Sequence, residues 1–228
     1  MLKTLAEKAS PQNAVLLVID MQNDFCSPDG VFEKMGYDIG MIQEMVPRLT
    51  NLIKEARLAK VPIIFVKSSY TTSPNWFLSE VWFEHKNRRQ AGLYSKKEAL
   101  KPGTWGWEII NGLDVRPDED AFVIKHRYNA FYSTDLDLIL RSRGIQSIIF
   151  TGMATNVCVE STARDAFFRD YYVVFTSDCT ATYERQMHYP TLQNIEKYFG
   201  LVVESKDIIQ CWKPLQKEIE VKQSLDGR

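Results

Sequence analysis

Residues 148–166 change their hydrophobic period in mid-course, and that change constrains the fold more than any other stretch. The run Ile148-Ile149-Phe150-Thr151 is apolar and rich in β-branched and aromatic residues, the signature of a strand covered on both faces. Gly152 ends it. From Asn156 onward Val157, Ala163, Ala166 and Phe167 recur at helical spacing, with Glu160, Arg164 and Asp165 elsewhere around the turn. A buried strand that passes through a tight turn into a helix is the repeating unit of an α/β sheet. One thiol, Cys158, falls near the helix start, where unpaired backbone N–H groups favour thiolate over thiol. A lone cysteine on an apolar helix is commonly packing and nothing more. Partners elsewhere in the chain decide which it is.

The same unit recurs along the sequence. Ala14–Ile19 reads as a buried strand ending in Asp20, followed by an irregular loop from Met21 to Gly36. From Asp38 the positions Ile42, Met45, Val46, Leu49, Leu52, Ile53 and Ala56 predict a helix, with Pro47 starting or kinking it. Val61–Val66 is the next strand. Residues 68–102 carry Tyr70, Trp76, Phe77, Trp82, Phe83 and Tyr94 without a clear period, a substrate wall or lid on one reading and a surface elaboration on the other. Ala121–Lys125 is a short strand ending in a cation. A helix over Asp135–Arg143 follows, capped by Ser133 or Thr134 and closed by Gly144. After the Cys158 unit come a strand at Tyr172–Thr176, a helix at Glu184–Phe199 with Pro190 inside it, and a last strand at Leu201–Val203. Residues 211–228 are polar and read as a C-terminal tail, mobile or reaching a partner. Alternation of this kind predicts one domain over residues 1–228, an α/β sheet with helices on both faces. No GxGxxG follows the first strand and no GxxxxGK[ST] occurs, which removes the dinucleotide and P-loop readings.

A formal net charge of -1, with basic residues scattered, gives no footprint for nucleic acid or an anionic membrane. No apolar run approaches the roughly 18 residues of a membrane span. Cys26, Cys158, Cys179 and Cys211 stand far apart without CxxC pairs or zinc-ligand spacing, so the expectation is a cytoplasmic protein with free thiols.

Carboxyl ends of parallel strands face one crevice, which would bring Asp20, Lys125 and Cys158 together. The set is chemically coherent. A thiol needs a base to take its proton, which Asp20 can be, and a cation steadies both the thiolate and the carboxylate. Among His85, His126 and His188, only His126 stands near this group, as an outer candidate.

These residues carry a resemblance to the isochorismatase-like cysteine hydrolases. It rests on Ile19-Asp20-Met21-Gln22, Ile124-Lys125 and Gly152-Met153-Ala154-Thr155-Asn156-Val157-Cys158-Val159, and covers about Ala14 to Val203. Within that family the chain most resembles ureidoacrylate amidohydrolases of pyrimidine breakdown, through Leu138–Ile145, Ala154–Thr162 and Asn194–Gly200. Related enzymes cleave biuret, triuret or N-carbamoyl compounds. The resemblance implies a six-stranded parallel sheet in a Rossmann-like order. It also implies a non-proline cis peptide between Met153 and Ala154, and an oxyanion site formed by the N–H groups of Ala154 and Cys158. The metal-binding branch has an Asp-x-His-x-x-His run after the second strand. Here that region is Lys67-Ser68-Ser69-Tyr70-Thr71-Thr72-Ser73, so neither a metal nor another cofactor is expected. Cysteine at position 158 argues for amide rather than vinyl-ether cleavage. The expectation is a cysteine amidohydrolase of nitrogen metabolism, a homo-oligomer (dimer or tetramer) acting on a small ureido or carbamoyl compound. Asn23, Phe25, Trp76, Tyr128 and Asn129 are the expected substrate contacts. The rival is a non-catalytic member that binds a metabolite in the same pocket, against which the intact Asp–Lys–Cys set speaks.

Overall fold

A computed structural model describes residues 1–70, 76–89 and 98–226. In it the apolar runs become β1 (Ala14–Ile19), β2 (Ile63–Ser68), β3 (Ala121–Lys125), β4 (Ser147–Met153), β5 (Tyr172–Ala181) and β6 (Gly200–Val203). They form a parallel sheet in the order β3-β2-β1-β4-β5-β6, with one helical layer on each face. β1 and β4 are buried along their whole length, which is why they carry no polar alternation.

One face packs on the long helix α4 (Gly40–Leu58). Its Ile42, Met45, Leu49, Leu52, Ile53 and Ala56 are all buried, a stripe at helical spacing in which each large side chain contributes roughly 1.5–3 kcal/mol. Pro47 sits inside this helix without ending it. The other face is covered by α6 (Leu136–Ser142), α7 (Glu160–Phe168) and α8 (Arg185–Tyr198). Gly152, one residue from the end of β4, has φ +103, and a Cβ there would fall onto the Ile19 carbonyl oxygen. Only glycine lets β4 lie this close to β1.

Three regions differ from the sequence expectation. Residues 21–36 are not wholly irregular: Asn23–Cys26 (α2) and Val31–Lys34 (α3) each make one helical turn, too short to leave a periodic signal. Within 68–102 lies a helix, Glu80–Arg89 (α5). The expected tail over 211–228 is corrected, because Ser205–Asp226 is a helix, here the last of the chain (α9), preceded by the N-terminal Leu5–Ala9 turn (α1) at the opposite end of the sequence. Ile208 and Trp212 of α9 are fully buried, and the Trp212 indole donates to the Ala9 carbonyl at 2.7 Å. Gln216 adds hydrogen bonds to Glu55 of α4. Polar residues on the outer face of α9 mask its apolar stripe in the sequence. Among the described residues no helix is long and apolar enough to cross a membrane.

Candidate active site

The sheet order reverses between β1 and β4, and in open parallel sheets the crevice at such a point, beyond the carboxyl ends of the strands, holds the ligand. Asp20 follows β1 there, and Cys158 lies on a π-helical turn (Thr155–Val159) that joins β4 to α7. Lys125 ends β3, two strand spacings from β1, or roughly 9–10 Å. A long side chain must cross β2 to reach Asp20. The residue it crosses is its register partner Ser68, small enough to pass over and polar enough to bond.

The result is one buried cluster. Asp20, Ser68 and Lys125 are at most 1% exposed and Cys158 is 5% exposed. Lys125 Nζ donates to Ser68 Oγ at 2.7 Å, to the Arg127 carbonyl at 3.1 Å and to Cys158 Sγ at 3.4 Å. Those bonds engage the three hydrogens of an ammonium. Asp20 Oδ2 lies 2.8 Å from Nζ, in a direct ion pair. Asp20 Oδ1 accepts from Ser68 Oγ at 2.9 Å. The ammonium therefore reaches one carboxylate oxygen through a hydroxyl and touches the other directly.

Electrostatics favour this charge state. Burial pulls the Lys125 pKa down, but the negative charges of Asp20 and Cys158 outweigh it, and the ammonium ends above its ordinary 10.5. Tyr70 is pushed well above 10 by burial, then by the charges of Cys158 and Asp20, so it remains a neutral phenol.

Local structure holds each member in place. Asp20 takes a left-handed conformation (φ 56) that aspartate tolerates, turning the chain out of β1. Gln22 accepts from the Ser68 N–H at 2.7 Å and donates to the Ser68 carbonyl at 3.1 Å, locking the end of β2. Thr162 donates to the Cys158 carbonyl at 2.6 Å and accepts from the Ala130 N–H at 3.0 Å, joining the cysteine turn to the loop after β3. The Met153–Ala154 peptide bond is cis.

Asp20 and Cys158 open on a pocket with about 60 Å³ of free space, room for a small molecule. Phe25, Phe32, Tyr37, Tyr70, Tyr128 and Tyr183 make its aromatic walls, with Asn156, Thr182 and Glu184 adding polar edges and Ala154 beside them. Of the expected substrate contacts, Phe25 and Tyr128 are there and three are not. Trp76 is 82% exposed, and its place is taken by Tyr70, backed by Trp82, whose ring lies 5.5 Å from Tyr70 and 4.8 Å from Tyr128. Asn23 spends its side chain on the Trp105 carbonyl and Ser27. Asn129 spends its own on Asp165 and the Phe131 N–H. Tyr94 lies outside the described residues. The His126 ring stacks on Phe77 at 4.0 Å, and its Nδ1 faces the Ser69 carbonyl, away from the thiol cluster.

Sequence reasoning missed Ser68, whose signal was its place at the end of β2, level with Lys125. It also missed Phe32, Tyr37 and Tyr183, which come from aperiodic segments. Buried His188 has a structural use. It donates from Nε2 to the Ser177 carbonyl and accepts from the Thr155 hydroxyl at 2.9 Å, bracing the cysteine turn against α8. Among the described residues no three His, Cys, Asp or Glu side chains are grouped as metal ligands.

With this geometry in hand, the chain can be set beside known proteins. The family model for the isochorismatase domain matches residues 14–207. The ureidoacrylate amidohydrolase of Methylobacterium radiotolerans is 34% identical over 202 residues, 84% of this chain and 76% of the relative. That of an Enterobacter species is 35% identical over 217 residues, 90% of this chain and 91% of the relative. Among solved structures, a cysteine hydrolase from Pseudomonas syringae pv. phaseolicola superposes with a TM-score of 0.76 at 26% identity, covering 90% of this chain and 94% of that one.

Proposed function

The chain belongs to the isochorismatase family of hydrolases, and on that premise we propose that it is a cysteine amidohydrolase cleaving a C–N bond of ureidoacrylate or a close ureido or carbamoyl compound. The observation that carries this reading is the buried contact of Lys125 with both Asp20 and Cys158 at the edge of a small pocket.

The geometry supports the following roles. Cys158 Sγ accepts from the ammonium and lines the same pocket as Asp20, whose carboxylate is the base for the thiol's own hydrogen. Asp20 takes that proton, and the thiolate attacks the carbonyl carbon. The carbonyl oxygen becomes an oxyanion held by the N–H groups of Ala154 and Cys158, both on the pocket wall. Collapse of the tetrahedral species breaks the C–N bond, and Asp20 returns the proton to the departing nitrogen. Water, deprotonated by the same carboxylate, then splits the acyl-thioester and regenerates the thiol. Lys125 stays protonated throughout and balances whichever of Asp20 and Cys158 is anionic. A urea-type carbonyl is a poor electrophile because two nitrogens donate into it, so the oxyanion donors matter more than for a simple amide.

On the same reading the enzyme serves pyrimidine degradation in the cytoplasm as a homo-oligomer and needs no metal, so activity survives exhaustive chelation. The test is a side-by-side assay of ureidoacrylate, biuret, triuret, N-carbamoylsarcosine and nicotinamide. A ureido or carbamoyl compound is expected to exceed nicotinamide in kcat/KM by at least about tenfold, roughly 1.4 kcal/mol of transition-state stabilisation. A nicotinamide preference would overturn the substrate class.

A further inference from the structure

Asn156 lies two residues ahead of Cys158 on the π-helical turn and lines the pocket. Its Oδ1 accepts a hydrogen bond from Thr182 Oγ1 at 2.7 Å. Thr182 is itself only 3% exposed and directly follows β5, so the hydroxyl is held by the scaffold. This bond occupies the acceptor end of the amide and sets the direction of the other end. The Nδ2 group has two N–H donors, and among the described residues neither finds a partner. A fixed, half-buried donor pair therefore stands on the wall of an otherwise largely aromatic pocket, beside the nucleophile. Donors held in this direction are ready for an acceptor that a ligand brings into the pocket in place of water. The proposed chemistry makes no use of Asn156, because the scissile carbonyl is held by backbone N–H groups.

We propose that Asn156 is the specificity-determining donor of this pocket. Through Nδ2 it holds a second oxygen acceptor of the substrate, a carboxylate or carboxamide oxygen away from the bond that breaks. This rests on the ureido reading above and deepens it: the preferred compounds carry a ureido group and an oxygen acceptor a few bonds away, and plain alkylureas are poor ligands. Thr182 acts through Asn156 as a positioning residue, since without its hydroxyl the amide can turn over and present oxygen.

Ureidoacrylate and biuret carry both features, the first with a carboxylate and the second with a carboxamide, whereas propylurea carries the ureido group alone. Their dissociation constants are measured by calorimetry on the Cys158→Ala enzyme, alone and with Asn156→Ala or Asn156→Asp added, each folded by thermal unfolding. Asn156→Ala is expected to weaken ureidoacrylate and biuret at least tenfold more than propylurea. Asn156→Asp, which replaces the donor by an anionic oxygen of the same shape, should weaken ureidoacrylate beyond the alanine variant. Biuret recovers in that variant by turning its NH2 toward the new oxygen if a carboxamide is the group held. Equal losses for all three compounds would make Asn156 a structural part of the turn, and no loss would make it a bystander; either overturns the proposal. If none of the three binds the Cys158→Ala parent, the ureido reading fails and this proposal with it. A failure specific to Asn156 leaves binding to the parent intact.

Discussion

Cys158 and Cys26 are both buried thiols at the carboxyl edge of the sheet, and both lie against the Asp20 neighbourhood. Cys158 Sγ accepts a hydrogen bond from the Lys125 ammonium and borders the pocket. Cys26 Sγ, fully buried in the α4-side core, faces the backbone carbonyl of Asp20 at 3.7 Å. Burial first, and then the negative charge of Asp20, push the Cys26 thiol well above its ordinary 9.0. The same carboxylate that can act as base for one cysteine therefore suppresses ionisation of the other. Neither burial nor nearness to Asp20 separates the two thiols. The cation does, and the fold delivers it to one of them by carrying a lysine across β2.

Removing the cation should erase the difference between the two thiols. Lys125→Met leaves Asp20 buried without its partner, a loss of about 3–5 kcal/mol in stability. Turnover should fall by at least about 10³-fold, roughly 4 kcal/mol in the barrier. The stability loss has a defined pH course. Because the folded pKa of Lys125 is raised above 10.5, the stabilisation it provides is complete below that value and disappears as pH rises through the folded one. Thermal melts of wild type and variant should stay separated across neutral pH and converge only in strong alkali. Melts that converge near pH 7 would contradict the charge assignment.

A smaller effect sharpens the comparison at Ser68, which relays the ammonium to Asp20 Oδ1. Ser68→Ala deletes the hydroxyl that bridges the two charged groups, and a hydrogen bond to a charged group is worth about 1.5–3 kcal/mol, so kcat should drop about 10- to 100-fold with little change in KM. Ser68→Thr, which keeps the hydroxyl, should recover part of that loss. Equal defects in both variants would reduce Ser68 to a packing residue.

The smallest effect belongs to Cys26. Cys26→Ala removes a buried sulfur from the core and should cost about 0.5–1.5 kcal/mol of stability, read from denaturant midpoints. Its kcat/KM should stay within about threefold of wild type. A loss comparable to that of Ser68→Ala would mean that the second thiol takes part in the chemistry.

The contrast also explains what the sequence disclosed. Asp20, Lys125 and Cys158 each end an apolar run or closely follow one, and parallel strands send such ends to one edge, so their meeting was legible without coordinates. Strand order followed from the family likeness, and the alternation of periods set the layers. Pocket walls were not legible to the same degree. Phe32, Tyr37 and Tyr183 come from single turns and loops, where no period separates an aromatic facing a ligand from one facing solvent such as Trp76. Polar candidates failed for a related reason: Asn23 and Asn129 have ample local acceptors and are consumed by their own loops. Helix α9 was hidden because Ile208, Trp212 and Leu215 sit at helical spacing in an otherwise charged segment.

On the proposed mechanism, charge placement selects Cys158 over Cys26 as the nucleophile. Mass spectrometry of the enzyme acid-quenched during turnover of its best ureido substrate tests it most directly. The predicted result is a single acyl adduct on the peptide containing Cys158, with the Cys26 peptide unmodified and no adduct in Cys158→Ala. An adduct on Cys26, or full turnover by Cys158→Ala, would contradict it.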